Sequence, residues 1–374
     1  MKRTGAQIVW ECLVREGVEV VFGYPGGASL PIYDAMLDYP IRHILPRHEQ
    51  GAAHMADGYA RVSGKVGVAM ATSGPGATNL TTGIATAYMD SVPVVFITGQ
   101  VASRFIGYDA FQETDVTGIT LPITKHNYLV TNVRDLTRVI REAFYIARSG
   151  RPGPVLIDIA KDVQQATVED WEYDETPIRL PGYRPDLRPL PEDLERAVAM
   201  INAARRPLIL AGHGVLMSGA MAQLRQFAEM TRTPVAMTLL GIGCFPASHP
   251  LNLGMMGMHG EAWVNQAIQK ADLLLAMGMR FDDRATGDLK RYASGARKIH
   301  FEIDRSEVNK NVRVDLALIG DLKETLDQLL PRLKPADHGD WLEEINEMKG
   351  DSAVRDIQNL PDYGHLYAAH VIND

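Results

Sequence analysis

Residues 1–160 alternate between short apolar, β-branched runs and segments whose apolar positions recur at helical spacing. The runs at 18–22, 41–45, 66–71, 92–98, 128–130 and 155–159 predict strands, and 5–16, 30–37, 51–62, 77–89 and 136–149 predict helices. Strands that alternate with helices in this way build βαβ units and a parallel sheet covered on both faces. The alternation breaks over 161–191, where Pro177, Pro181, Pro185, Pro189 and Pro191 fall among acids and aromatics. Proline removes ladder donors and disfavours helix, so this stretch reads as a surface linker. The pattern resumes with helices at 193–202, 219–230, 263–270 and 322–333 and strands at 207–211, 235–238, 273–277, 298–302 and 316–319. The expected fold class is therefore α/β, with two doubly wound parallel-sheet domains at 1–160 and 192–335. Residues 336–374 are a polar, acidic stretch followed by a segment without a core of its own.

A chain of 374 residues fits two domains of about 150 residues plus connectors. The 46% hydrophobic and 22% charged content is that of a globular protein. A net charge of −8 with no long basic run argues against nucleic-acid or anionic-membrane partners. No apolar run approaches the roughly 18 residues of a membrane span, and Met1-Lys2-Arg3-Thr4 leads directly into an amphipathic pattern unlike a signal peptide. Cys12 and Cys244 are far apart and outside any metal-ligand spacing. Two reduced thiols in a cytoplasmic protein are the simplest reading.

Candidate chemistry begins at Glu49, where a strand gives way to a helix. The helix after it carries Gly51, Ala52, Ala53, Ala56, Gly58 and Ala60, so a neighbour can approach closely. Ligands of parallel α/β sheets bind outside the carboxyl ends of the strands, where this acid falls. A lone glutamate in a helix first turn is equally what the macrodipole favours. Upstream, Val21-Phe22-Gly23-Tyr24-Pro25-Gly26-Gly27-Ala28 is a strand entering a glycine turn. Downstream, Ser73-Gly74-Pro75-Gly76-Ala77-Thr78-Asn79 looks like a phosphate loop but lacks the Lys-Ser/Thr of a Walker motif and the third glycine of a dinucleotide fingerprint. In the second half, four strands each end in a group suited to a nucleotide: Gly212-His213-Gly214, Thr238-Leu239, Gly278-Met279-Arg280 and Asp304. Met255, Met256 and Met258, interspersed with glycines, read as a loop forming a pocket wall, and His213 and His259 as hydrogen-bonded structural histidines.

Taken together these runs resemble thiamine-diphosphate (ThDP) enzymes. The runs Asp109-Ala110-Phe111-Gln112-Glu113 and Arg280-Phe281-Asp282-Asp283-Arg284 narrow the resemblance to the catalytic large subunit of acetohydroxyacid synthase, also called acetolactate synthase. The resemblance implies decarboxylation of pyruvate and its ligation to pyruvate or 2-ketobutyrate, the entry to valine, leucine and isoleucine synthesis. It implies that Glu49, buried in apolar surroundings, shares a proton with the aminopyrimidine of ThDP, with Gly26 and Gly27 beside the reacting centre. Phe111, Gln112 and Lys161 match substrate-side positions. FAD is expected on the second domain, contacted by Gly212, Gly214, Thr238, Leu239, His259, Gly278, Arg280, Glu302, Asp304 and Asp321, with Arg151 reaching over from the first. Mg²⁺ and the diphosphate are held in the family by a third domain with a Gly-Asp-Gly motif. Nothing here matches that domain, so no metal ligand is expected in this chain, which reads as an incomplete copy inactive by itself. A homodimer or tetramer and a small regulatory subunit are the implied assembly. Ala102, Arg104 and Phe105 depart from the family pattern. Glyoxylate carboligase, pyruvate oxidase or a non-catalytic flavin-binding paralogue are the alternatives.

Overall fold

The computed structural model describes residues 1–349, and the chain divides into two units, Met1–Pro185 and Asp186–Asp374. The first unit runs β1 (Arg3–Thr4), α1 (Gly5–Arg15), β2 (Val20–Gly23), α2 (Leu30–Ala35), β3 (Arg42–Ile44), α3 (Glu49–Ser63), β4 (Gly67–Ala71), α4 (Pro75–Asn79) and α5 (Thr81–Asp90). It continues with β5 (Val94–Gln100), α6 (Val116–Thr120), β6 (His126–Val130), α7 (Leu136–Arg148), β7 (Val155–Ala160), α8 (Lys161–Gln165) and β8 (Thr167–Val168).

Six strands form one parallel sheet in the order β3-β2-β4-β5-β7-β6. Every residue of β4, β5 and β7 is buried because helices cover both faces. Alternation along the strands sorts side chains between two cores. Val68, Met70, Val95, Ile97 and Ile157 meet Trp10 and Leu13 of α1 and Ile140 and Phe144 of α7. Ala69, Ala71, Phe96 and Leu156 face the small side chains Ala52, Ala53 and Ala56 of α3 and Ile84 of α5. Close approach on that second face demands small residues, since a Cβ at Gly83 of α5 would collide with the Ala53 methyl. Local chemistry fixes the ends. Thr4 and Gln7 make a capping box at α1, and α3 starts after His48, whose Nδ1 accepts from Gln50 N, and stops at left-handed Gly64.

The second unit contains α9 (Pro191–Asn202), β9 (Pro207–Ala211), α10 (His213–Met217), α11 (Met221–Thr231), β10 (Val235–Met237), β11 (Asn252–Met255), α12 (Ala262–Lys270) and β12 (Leu273–Met277). Beyond these lie α13 (Asp283–Thr286), β13 (Arg297–Glu302), β14 (Leu316–Ile319), α14 (Leu322–Leu329) and α15 (Gly339–Lys349). Its parallel sheet has the order β11-β10-β9-β12-β13-β14.

Each sheet reverses its winding near its middle, and the first turns back a second time at its edge, where β7 inserts between β5 and β6. The chain leaves β2 towards β3 and then crosses back to β4, so the first switch point lies between β2 and β4. By the same reasoning the second lies between β9 and β12. Helices on opposite faces diverge there and leave a crevice at the carboxyl ends of the strands.

Several expectations need correcting. The helix expected at 77–89 starts earlier, at Pro75, and is assigned as two segments around Leu80. Part of the stretch expected to be linker is folded: Lys161 opens α8, and Thr167–Val168 pair antiparallel with Arg3–Thr4. Met255 belongs to a strand rather than a loop, and Met256 is core, whereas Met258 is exposed. The acidic stretch after Pro335 contains α15, because Trp341 and Ile345 present one apolar stripe at helical spacing. Of residues 336–374, expected to be a linker and the start of a further domain, 350–374 lie outside the described residues.

Candidate functional site

The first crevice gathers Glu49, Gly26, Gly27 and Asn79 from three neighbouring strand ends. Glu49 follows β3 as the first residue of α3 and is half-buried rather than enclosed as expected. Asn79, the last residue of α4, donates from Nδ2 to Glu49 Oε2 at 2.9 Å. The other carboxylate oxygen faces Gly76, where a Cβ would lie 3.4 Å from Oε1. Thr72 stands at the centre of the crevice floor. Its Oγ1 accepts from Ala28 N at 3.1 Å, and its methyl fills the space that side chains at Gly26 and Gly76 would need. Gly27 is different: it is exposed, and a Cβ there would meet nothing within 4 Å. The crevice thus combines open space at Gly27 with a carboxylate held by an amide, a setting that leaves room for a bound molecule.

Two titratable rings stand behind this carboxylate. Tyr33 Oη is buried without a hydrogen-bond partner among the described residues, and burial together with the Glu49 charge pushes its hydroxyl above the ordinary phenol range. His43 Nε2 lies 3.0 Å from the Gly23 carbonyl, and burial holds its imidazole below the usual value. Neither residue was singled out from the sequence, since both sit in ordinary apolar surroundings.

Phe111 and Gln112 reach the same edge from the loop after β5. Phe111 is 87% exposed, and Gln112 is left-handed with φ 59°. The backbone of Gln112 packs on Gly74, where a Cβ would lie 2.6 Å from the Gln112 carbonyl oxygen and where φ is 53°. Only glycine fits that turn. Glu113 organises the loop from within, accepting from the backbone N–H of Gly107 and from Ala110 N at 2.9 Å, and these bonds hold its carboxyl below the ordinary range. Lys161 lies at the same sheet edge after β7, and Ser103 N and Oγ both donate to its neighbour Asp162, at 2.8 and 3.0 Å. Arg104, one of the unusual residues, stacks on the Phe105 ring at 4.7 Å. Arg151 lies at the opposite edge, before β7, where its Nε donates to Ser91 Oγ at 2.8 Å.

Under this edge is an acid that sequence reading missed. Asp158 in β7 is 1% exposed and accepts from Thr98 Oγ1 at 2.7 Å and Gln100 Nε2 at 2.8 Å. Burial pushes its carboxyl up to about 6, against the opposing effect of the two donors. An aspartate inside the apolar run Val155-Leu156-Ile157-Asp158-Ile159 was the available clue.

In the second unit all ten candidate positions follow the carboxyl ends of strands of one sheet. Gly212 and Gly214 follow β9, Thr238 and Leu239 follow β10, and His259 follows β11. Gly278 and Arg280 follow β12, Glu302 ends β13 with Asp304 two residues beyond, and Asp321 follows β14. The glycines at the switch point face each other: a Cβ at Gly214 would lie 2.6 Å from Gly278 Cα, and Gly214 N donates to the Gly278 carbonyl at 2.9 Å. Thr238 Oγ1 accepts from Gly241 N at 3.1 Å, and Asp304 and Asp321 each accept from a backbone N–H two and three residues on. Glu302 folds back, its Oε1 accepting from Ile303 N and Asp304 N, while Oε2 lies 3.4 Å from buried His300 Nε2. The acids thus brace their own turns. Arg280 is half-buried with Asp282 3.8 Å away, His259 is exposed, and Leu239, Ile242 and Met258 expose an apolar rim. A cation beside an apolar rim fits a ligand with a phosphate and a flat apolar ring. Among the described residues no cluster of three or more His, Cys, Asp or Glu is arranged for a metal ion, and no helix is long and apolar enough to cross a membrane.

Comparison with known proteins decides the family. Residues 3–119 match the family model for the thiamine pyrophosphate enzyme N-terminal TPP binding domain, and residues 194–329 that for the thiamine pyrophosphate enzyme central domain. The chain belongs to the thiamine pyrophosphate enzymes. This thiamine pyrophosphate enzyme is 50% identical over 349 residues to a probable acetolactate synthase large subunit of Methanocaldococcus jannaschii, covering 92% of the chain and 59% of the relative. It is 48% identical over 355 residues to the acetolactate synthase large subunit of Corynebacterium glutamicum, covering 93% and 56%. To acetolactate synthase 1, chloroplastic, of Nicotiana tabacum it is 49% identical over 386 residues, covering 100% and 56%. The chain therefore spans between half and two-thirds of the length of these relatives.

Proposed function

We propose that this thiamine pyrophosphate enzyme contributes the pyrimidine side of an acetolactate synthase active site. The observation that carries the reading is the Glu49 carboxylate, clamped by Asn79 at 2.9 Å at the first switch point, where Gly27 is exposed and a Cβ on it would meet nothing within 4 Å. ThDP, when bound, supplies the electron sink that lets a 2-ketoacid lose CO₂ and join a second one. Glu49 holds and returns a proton at the aminopyrimidine, and Asn79 fixes which oxygen is left to do so. Gly27 leaves the substrate room to approach, while Phe111, Gln112 and Lys161 border its entry from the β5 and β7 ends.

In the second unit Arg280 pairs with the pyrophosphate of FAD, and Thr238, Leu239 and His259 line the flavin from neighbouring strand ends. Gly212, Gly214 and Gly278 let the two turns lie close, and Glu302, Asp304 and Asp321 hold the remaining turns in shape. The flavin is structural, because ligation transfers no net electrons. Mg²⁺ completes the proposed cofactor set, with no ligand for it assigned in this chain. The partners pyruvate and 2-ketobutyrate, a homodimer or tetramer with a small regulatory subunit, and a cytoplasmic location complete the proposal. The buried free thiols Cys12 and Cys244 agree with the last of these.

Product analysis tests it on the whole gene product, supplied with pyruvate, ThDP, Mg²⁺ and FAD in aerated phosphate buffer. Acetolactate is the expected product. Acetyl phosphate from pyruvate, or tartronate semialdehyde when glyoxylate replaces pyruvate, would assign the chain to an oxidase or a glyoxylate carboligase instead.

A further inference from the structure

The buried acid under the first crevice has a consequence for the loop above it. Gln100, the last residue of β5, makes three side-chain hydrogen bonds. Its Nε2 donates to Asp158 Oδ2 at 2.8 Å and to the Thr114 carbonyl at 2.9 Å, and its Oε1 accepts from Val101 N at 2.8 Å. Val101 is the first residue after β5, and Thr114 precedes the cap of α6. One amide therefore grips both ends of the loop that carries Phe111 and Gln112.

The grip works in only one orientation. With the amide reversed, oxygen would face the Thr114 carbonyl and nitrogen would face the Val101 N–H, and both bonds would be lost. An ionised carboxylate accepts and never donates, so Asp158 permits the nitrogen-inward orientation alone. Thr98 Oγ1, donating to the other Asp158 oxygen at 2.7 Å, fixes the carboxylate itself. Within the loop, Glu113 gathers the backbone, and Gln112 rests on Gly74.

We propose that Asp158 is a positioning residue which, through Gln100, clasps the two ends of the 101–115 loop and holds Phe111 and Gln112 over the Gly74 turn. The contact of Phe111 and Gln112 with substrate rests on the proposed function, whereas the clasp does not.

Native-state chymotrypsin digestion reads the clasp directly. The loop offers Phe105, Tyr108 and Phe111, and the proline-rich segment supplies Trp171 and Tyr173 as internal reference sites. Asp158→Ala should speed cleavage in the loop about tenfold relative to the reference sites, as expected for local opening after loss of hydrogen bonds. Asp158→Asn, whose carbonyl oxygen still accepts from Gln100, should stay within about threefold of the parent. If Asp158→Ala fails to fold, Gln100→Leu removes the same grip and should give the same selective release. Loop cleavage that is unchanged, or that rises only in step with the reference sites, overturns the proposal. The same variants in the whole gene product separate the two readings: selective release with kcat and KM for pyruvate unchanged keeps the clasp and removes Phe111 and Gln112 from the substrate site.

Discussion

Replacing Asp158 by asparagine should flatten part of the pH dependence of stability. The side chain keeps its size and an acceptor for Gln100 but can no longer ionise. In the folded chain burial raises the Asp158 carboxyl from 3.8 to about 6, with the Asp115 charge adding to the raise. That change corresponds to about 3 kcal/mol, at about 1.4 kcal/mol for each tenfold change in proton affinity. The sign follows from which state holds the proton. Between the two values the folded state keeps a proton that the unfolded state has released, so the contribution is full below 3.8 and is lost as pH rises through about 6. The stability of the parent minus that of Asp158→Asn should therefore fall by about 3 kcal/mol between about pH 3 and pH 8. Other titrating groups cancel in that difference. Urea denaturation across this range measures it, with amide exchange in peptides of β5 and β7 isolating the first unit. A difference that stays flat, or grows with pH, refutes the reasoning.

Glu49→Gln preserves shape but removes the exchangeable proton, and acetolactate formation by the whole gene product should fall about 10²–10⁴-fold; activity within about threefold of the parent would take Glu49 out of the mechanism. Arg280→Ala should weaken flavin retention by removing a charge-assisted contact to the pyrophosphate, and equal flavin content after purification would sink that assignment. Gly278→Ala forces a side chain into a position with φ 59° and a Cβ 2.7 Å from Gly214 Cα, so the second unit should lose at least about 1–3 kcal/mol. An unchanged melting temperature for that variant would show that the two turns separate freely.

The regular part of both sheets was legible because every fully buried strand is an apolar run with a helical stripe on either side. Val94–Gln100 and Leu273–Met277 show the pattern at its clearest. What escaped lacked repetition. β11 holds a glycine with φ 96° and pairs with β10 across a register shift, so its residues show no period of two. α15 fully buries only Trp341 and Ile345, with Leu342 and Met348 half-buried beside them, and its acids interrupt the apolar pattern. At the site, Glu49 and the glycine turns could be found because the sequence concentrates them in motifs. Asn79 sits within one of these motifs, but its bond to Glu49 depends on how α4 is placed against α3. Tyr33, His43 and Asp158 act through burial, and burial of a single polar residue is a tertiary property.

The glycines mark where that limit lies. A glycine turn after a strand announces that something comes close, but the missing side chain is the same whether the visitor is a ligand or the protein's own backbone. In the first crevice the two cases stand side by side: Gly26 and Gly76 make room for Thr72, and Gly27 alone opens onto free space. At the second switch point Gly212, Gly214 and Gly278 are taken up by contact between two turns. The case for a nucleotide there accordingly rests on Arg280 and on the exposed rim of Leu239, Ile242 and Met258, none of which is needed to hold the turns together. This is why the two variants at that edge should part company. Gly278→Ala acts on the fold of the second unit whether or not a ligand is present, while Arg280→Ala acts on ligand retention and leaves the fold alone.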